Sequence, residues 1–363
     1  MMNEITLSPM DSPMKKLGSG TFSNVYLAYT NNNKKVAVKI PNDVLSKKRA
    51  MHESKNEIRI LNKFKPSNYI INLIAYSLTE GSNCLVFELL GDELYTLWKY
   101  YRAHEEFIPI KVVKNIIKQV LHGLVELKER DVLHNDLKTE NILFTEPLAK
   151  IFKCSKKTYV EKIYTLTKLS YRGRNRFLKN HINVQHEVLR EILLMKMNVK
   201  ISDFGNSFTK KMAIRHINDL LDTRPTRHYI SPEILIGMPF WVESDMWAFG
   251  CIAYELFSNE ILFTPTRDNT MGVNSMHIIS IIEHFGQFPK DMLEQGRYTN
   301  RYFINNTHKF AYLMDDYIYL HDILQEKGVT ESEAISKFLG PIFIINPQKR
   351  ITPMKCLQSD FLN

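Results

Sequence analysis

The sequence predicts an α+β fold in two lobes, strand-rich at the amino-terminal end and mostly helical beyond it. Three observations lead there. Short β-branched runs, Val36-Ala37-Val38-Lys39-Ile40 and Cys84-Leu85-Val86-Phe87-Glu88, fall early in the chain, the first just after the turn-forming Asn31-Asn32-Asn33. Past Gly91 the apolar period changes: Val113, Ile116, Ile117, Val120, Leu121, Leu124 and Leu127 share one broad helical face. With 363 residues, 44% of them apolar, the chain can bury a sizeable core.

Taken in order, residues 1–13 are too few for a module and form a short extension; 14–363 reads as one functional domain, with 14–88 the first lobe and 89–363 the second. Glu53 to Phe64 places Ile58, Leu61 and Phe64 near helical spacing, and Pro66 follows as a stop signal. Val112 to Leu127 is the strongest helix. Asn141-Ile142-Leu143-Phe144 and Val199-Lys200-Ile201 read as strands able to pair if the segment between them, 145–198, is set aside. That insert is too long for an ordinary loop. It holds twelve Lys or Arg against four Glu, nearly all of the chain's net charge of +9. Val188 to Met197 suits a helix, and the Lys-, Arg-, Asn- and Tyr-rich centre has the composition of disorder. Such a segment suits a polyanion or a transport receptor, or is simply a solvated loop. The reading expects chemistry to survive removal of most of Pro147 to Lys196.

Composition narrows the class further. Met1 to Lys16 has no signal-like apolar run, and the most apolar stretch, Met246 to Phe257, is short and carries Glu255, so no membrane span is expected. Cys84, Cys154, Cys251 and Cys356 lack paired spacing, which argues against a zinc site or a disulfide framework and for reduced thiols in a cytoplasmic or nuclear protein.

The most informative stretch is His134-Asn135-Asp136-Leu137-Lys138-Thr139-Glu140-Asn141, followed by Asp203-Phe204-Gly205. It supplies two carboxylates, an amine and an amide at separations that suit phosphoryl transfer, a reaction that asks positioning of a protein more than covalent chemistry. Upstream, Leu17-Gly18-Ser19-Gly20 with Val25 is a glycine loop whose amides can cover phosphates. Lys39, nineteen residues past Gly20 on the following strand, can reach them. Glu57 is the leading partner for that lysine and Glu53, one turn earlier, the alternative. Asp136 is positioned to take the proton of an attacking hydroxyl, and Lys138 to neutralise the moving phosphate. Asn141 and Asp203 offer the oxygen ligands that Mg²⁺ prefers. His134 reads as a packing residue. Further on, Ser231-Pro232-Glu233 is followed by Asp245-Met246-Trp247-Ala248-Phe249-Gly250, and Arg350 is a candidate partner for Glu233.

With these residues in place, the chain resembles the eukaryotic protein kinases over roughly Met14 to Asn363, and within them the SR protein kinases of the CMGC group. The resemblance rests also on Val86-Phe87-Glu88-Leu89-Leu90-Gly91, on Asp203-Phe204-Gly205-Asn206, on Thr226-Arg227-His228-Tyr229 running into Glu233-Ile234-Leu235-Ile236-Gly237, and on Ile281-Ile282-Glu283-His284-Phe285-Gly286 with Gly296-Arg297-Tyr298. It implies a bilobal protein kinase fold, ATP and Mg²⁺ as cofactors, and transfer to serine or threonine of Arg-Ser-rich proteins linked to mRNA processing. It implies that Glu88 and Leu90 offer backbone hydrogen bonds to adenine, with Phe87 behind; the chain is expected to act as a monomer. The family's long spacer before Asp-Phe-Gly matches the insert. Asn135 stands where most kinases carry a phosphate-reading arginine, which implies activity without activation-segment phosphorylation at Thr209, Thr223 or Thr226. Two positions depart from the pattern: Ile230 replaces an arginine near the substrate, and Met276 lies where the family's docking groove is acidic. Glu283, Asp291, Glu294, Asp315 and Asp316 are the acids left to meet a cationic peptide. The alternatives are a CMGC kinase with another specificity and a pseudokinase scaffold.

Overall fold

A computed structural model describes residues 15–20, 23–42, 47–64, 66–79, 82–152, 186–215, 225–267, 271–303 and 317–363. The first lobe is an antiparallel sheet of β1 (Lys16–Ser19), β2 (Ser23–Tyr29), β3 (Lys35–Pro41), β4 (Leu73–Thr79) and β5 (Ser82–Glu88), in the order β1-β2-β3-β5-β4. Side chains alternate across a strand, so β3 buries Val36 and Val38 with Ala28 and Val86 on one side. Lys39 therefore shares the other side with Ala37 and, across the ladder, Leu85 and Phe87. That side faces α1 (Lys47–Leu61). The helix starts ahead of the Glu53 expected from sequence, because its first turns carry only Ala50 as a buried apolar marker. β4 has β-branched residues only at Ile74 and Thr79 and a register shift between Leu73 and Ala75, which hides it from a period-two search.

The second lobe is helical. α2 (Leu94–Ala103) leads to α3 (Ile110–Glu129), which buries all seven residues of the apolar face expected from sequence. The short β6 (Val132–Leu133) and β7 (Ile142–Phe144) follow, then α4 (Ala149–Phe152), α5 (His186–Leu194), β8 (Val199–Ile201) and β9 (Phe208–Thr209). At the centre lies α6 (Glu243–Ser258), buried around its whole circumference with Trp247, Phe249 and Tyr254 fully enclosed. α7 (Val273–Phe285), α8 (Lys290–Gln295), α9 (Leu320–Glu326), α10 (Ser332–Leu339) and α11 (Pro353–Leu357) follow, with α10 packed on α6, α9 on α10 and α11 on α3. Arg350 grips Glu233 through two hydrogen bonds of 2.8 and 2.9 Å, both side chains fully buried.

β7 and β8 pair antiparallel, and Thr145 N–H donates to Asn198 O at 2.9 Å, closing the base of the insert. The two ends of the insert, however, belong to the core. Leu148, Ile151, Leu193, Leu194 and Met197 are buried with the main cluster, α4 touches α5, and Gln119 of α3 bonds both Met197 O and Val199 N–H. The expectation that most of Pro147 to Lys196 is separable is therefore corrected: the helix legible at Val188 to Met197 and the short apolar run after Pro147 supply these buried residues, and no local pattern records what they pack against. The centre, expected to be disordered, lies outside the described residues, as do Cys154, Thr223, Asp315 and Asp316. Cys84 is half-buried and Cys251 and Cys356 are buried, all with free thiols. Among the described residues no helix is long and apolar enough to cross a membrane.

Candidate active site

The cleft between the lobes is lined from above by β3. Lys39 Nζ lies 3.1 and 3.0 Å from the Glu57 carboxylate oxygens and 2.8 Å from Asp203 Oδ1. Of the two glutamates that the sequence offers, Glu57 is the partner, because α1 turns it toward the Lys39 side of β3 and buries it. Burial by itself would lower the Lys39 ammonium, but Asp203 and Glu57 outweigh it and hold it raised. Lys39 in turn holds Asp203 down at about 2. Lys39 and Asp203 are thus charged together across the physiological range, while burial raises the Glu57 carboxyl against the pull of Lys39.

β1 and β2 carry the glycine loop. Leu17, Gly18 and Ser19 lie on β1, all exposed, and Gly20 N–H donates to Ser23 O at 2.8 Å to turn the chain. Val25 pairs with Lys39 across the ladder, so loop and lysine share one antiparallel ribbon. The loop's tip, Thr21 and Phe22, lies outside the described residues. At the lobe junction, Glu88 ends β5 and Leu90 is half-buried against the main core. Gly91 follows, where a Cβ would stand 2.2 Å from Glu146 O, so no larger residue fits this crossing.

Below the cleft the loop His134–Asn141 is suspended on Asp245. One Asp245 oxygen accepts His134 N–H at 2.8 Å and the other Asn135 N–H at 3.0 Å, which secures a turn where Asn135 adopts φ 67°. Burial pushes the Asp245 carboxyl up to about 6, against the pull of His134 and these amides. His134 is fully buried. Asp136 N–H approaches its Nδ1 at 3.3 Å and Ser202 O lies 2.9 Å from Nε2, which assigns the ring proton to Nε2 and the residue to packing.

The Asp136 carboxylate is held on both sides. Its Oδ1 accepts Thr226 Oγ1–H at 2.7 Å and Thr226 N–H at 3.2 Å, while Lys138 Nζ stands 3.1 Å from Oδ2 and 3.1 Å from Thr226 Oγ1. Sequence reasoning reaches Thr226 only as a phosphosite. Its position in Thr226-Arg227-His228-Tyr229 is the available signal, but only the fold brings the hydroxyl onto Asp136. Asn141 donates Nδ2–H to Asp136 O at 2.8 Å, leaving its Oδ1 as an oxygen donor. Asp203, in the left-handed region at φ 61°, turns its carboxylate into the cleft beneath Lys39. One amide oxygen and one carboxylate form a hard donor set that fits Mg²⁺.

Asn135 donates to Asn206 O at 3.2 Å, so the site of the usual arginine is filled by a neutral amide. Ile230 is buried, and Arg227 instead turns toward α7, donating to Asn274 Oδ1 at 2.6 Å. Of the acids expected to meet a cationic peptide, Glu283 lies on α7 and Asp291 and Glu294 on α8. Glu294 is paired with Lys290 and Asp291 accepts from Asn346. Met276 lies on α7.

Comparison with known proteins agrees with this geometry. Residues 12–287 match the family model described as protein tyrosine and serine/threonine kinase. The chain is 27% identical to the serine/threonine-protein kinase SRPK of Physarum polycephalum, across 96% of this chain and 85% of that protein. It is also 27% identical to the protein kinase dsk1 of Schizosaccharomyces pombe, across 93% and 77%. A probable dual specificity protein kinase YAK1 homolog of Encephalitozoon cuniculi is 27% identical over 79% of this chain and 56% of its own. The chain belongs to the eukaryotic protein kinase family, as a bilobal serine/threonine kinase of the CMGC group resembling the SR protein kinases.

Proposed function

We propose that this kinase transfers the γ-phosphate of ATP to serine in Arg-Ser-rich proteins, including those that act in mRNA processing. The observation that carries the chemical part is the Asp136 carboxylate, fixed by Thr226 and Lys138, together with the Lys39–Asp203 pair of the same cleft. In this reading the substrate hydroxyl oxygen forms a bond to the γ-phosphorus and its proton passes to Asp136. The bond to the bridging oxygen breaks and ADP leaves. Lys138 offsets charge on the moving group, and Lys39, held by Glu57, steadies the α and β phosphates. Leu17, Gly18, Ser19, Gly20 and Val25 cover the nucleotide, and the backbone of Glu88 and Leu90 receives adenine. Asn141 and Asp203 would hold Mg²⁺, which when bound neutralises phosphate charge. The catalytic unit spans 14–363, with lobes 14–88 and 89–363 and the insert 145–198.

The substrate part is supported by similarity to SRPK along most of both chains, and by the carboxylates of Glu283, Asp291 and Glu294 on adjacent helices. A second reading, a CMGC kinase with different specificity, is favoured by the buried Ile230 and by the YAK1-type relative. We further infer that the chain acts as a monomer in cytoplasm or nucleus, with the basic insert addressing a polyanion or a transport receptor. Purified protein, radiolabelled ATP and parallel Arg-Ser, Ser-Pro and acidic-site peptides test the assignment. Preference for Arg-Ser is expected; preference for either other peptide selects the second reading, and no transfer to any peptide, with ATP bound, would return the scaffold alternative.

A further inference from the structure

Three residues before Asp203, β8 carries a lysine that the chemistry above does not use. Lys200 is 8% exposed, and its ammonium reaches Glu88 Oε1 at 2.7 Å and Ser67 O at 3.0 Å. Glu88 ends β5 at the lobe junction. Its Oε1 also accepts from Asn72 N–H at 2.8 Å and from Asn72 Nδ2–H at 2.9 Å, while Glu88 N–H donates to Asn72 O at 3.2 Å. One carboxylate oxygen therefore gathers the residue before β4, the end of β5 and the strand that leads to Asp203. The backbone repeats the connection, since Ile71 N–H donates to Ile201 O at 2.9 Å and Ile201 N–H to Tyr69 O at 2.8 Å.

We propose that Lys200 is a positioning residue for ATP. It ties the junction segment that meets adenine to the strand that delivers Asp203, and so sets the distance between the two ends of the nucleotide site. A buried ammonium is held in place by its hydrogen-bond partners, and a charge-assisted bond at 2.7 Å is directional as well as strong. The pair can therefore define a spacing that apolar packing would leave loose. Small misplacements of a bound reactant weaken binding and transfer steeply. The proposal rests on the ATP-site reading given above.

Lys200→Met keeps chain length and tolerates burial while removing the charge. Steady-state kinetics with ATP and a short peptide, alongside a thermal melt, provide the test. Couplings of this kind lead us to expect the KM for ATP to rise about tenfold, with kcat at saturating ATP changed less than about threefold and the peptide KM unmoved. Glu88→Gln should move the ATP KM in the same direction, because it keeps an acceptor for Asn72 but not the ion pair. The double variant should be no worse than the poorer single one. An unchanged ATP KM in folded Lys200→Met, equal shifts in ATP and peptide KM, or additive effects in the double variant would each overturn the proposal. If Lys200→Met fails to fold, Glu88→Gln decides, and a wild-type ATP KM there overturns it. Failure of the underlying ATP reading looks different: the unmodified protein would neither bind ATP nor transfer phosphate.

Discussion

The two walls of the cleft are built differently. The upper wall is a thin sheet in which every residue of β1 is exposed and the outer face rests on the small cluster of Ala28, Val36, Val38 and Val86. The lower wall is a loop sunk into the core, with His134, Asn135, Thr139 and Asn141 all buried and Asp245 beneath them at 3% exposure. Segments with few buried contacts open at low free energy, whereas dense ones move only with the whole lobe. In the proposed reading, the nucleotide is gripped by a part free to adjust, while proton transfer is assigned to a part that is not. Lys39 belongs to the first wall and Asp203 to the second, and their 2.8 Å contact is where the two meet.

The largest expected effect on turnover comes from breaking that contact without changing shape. Asp203→Asn should keep the melting profile and lower turnover at least about a hundredfold, corresponding to about 3 kcal/mol of barrier. Wild-type turnover in a folded variant would remove Asp203 from the proposed machinery.

The next prediction sharpens the contrast between walls. Glu233→Ala strands the fully buried Arg350 guanidinium, and such uncompensated charges cost about 3–5 kcal/mol, readable as a shifted urea midpoint. Gly18→Ala adds a methyl where nothing lies within 4 Å, so stability should change by less than about 0.5 kcal/mol while ATP affinity falls. Equal losses of stability would break the comparison.

A smaller effect is pH-dependent. Burial on α6 pushes Glu255 from 4.5 up to about 7, partly offset by the Tyr229 hydroxyl that donates to it at 2.8 Å. Between those values the folded chain keeps a proton that the unfolded chain has released, so this contribution to stability is full below 4.5 and is lost as pH rises through about 7. Denaturant titrations of Glu255→Gln should show a flatter decline across that window than the parent; an identical slope would exclude Glu255 as the source.

The smallest effect is expected from deleting 153–185 and closing the gap with a short linker. That stretch holds nine Lys or Arg and only Glu161 against them, while the buried flanks that serve the core remain. Activity on a short peptide should be preserved and salt-sensitive association with polyanions lost. Collapse of peptide phosphorylation would make the segment part of the catalytic lobe.

Much of this architecture is legible in the amino-acid sequence. Period-two and helical spacing locate β3, β5 and α3 because their apolar residues are consecutive or regularly placed, and β7 and β8 are recognisable as partners despite the insert. Motif order brings forward Lys39, Glu57, Asp136, Asn141 and Asp203, since each lies at a characteristic chain separation. What stays hidden depends on side chains meeting from distant segments. Thr226 on Asp136 and Lys200 on Glu88 join residues 90 and 112 positions apart, which no local pattern records. The burial of the insert's flanks is hidden for a related reason: their apolar residues are visible in the sequence, but the α3 partners they meet, such as Gln119, lie far along the chain.

The most direct test of the division between grip and platform is Asp136→Asn, measured both for Mg-ATP binding by calorimetry and for single-turnover transfer to a peptide. The account predicts wild-type ATP affinity together with transfer slowed at least about a hundredfold, because the proton acceptor is lost while the nucleotide's contacts stay. Normal transfer by the folded variant, or a loss of ATP affinity as large as the loss of rate, would contradict it.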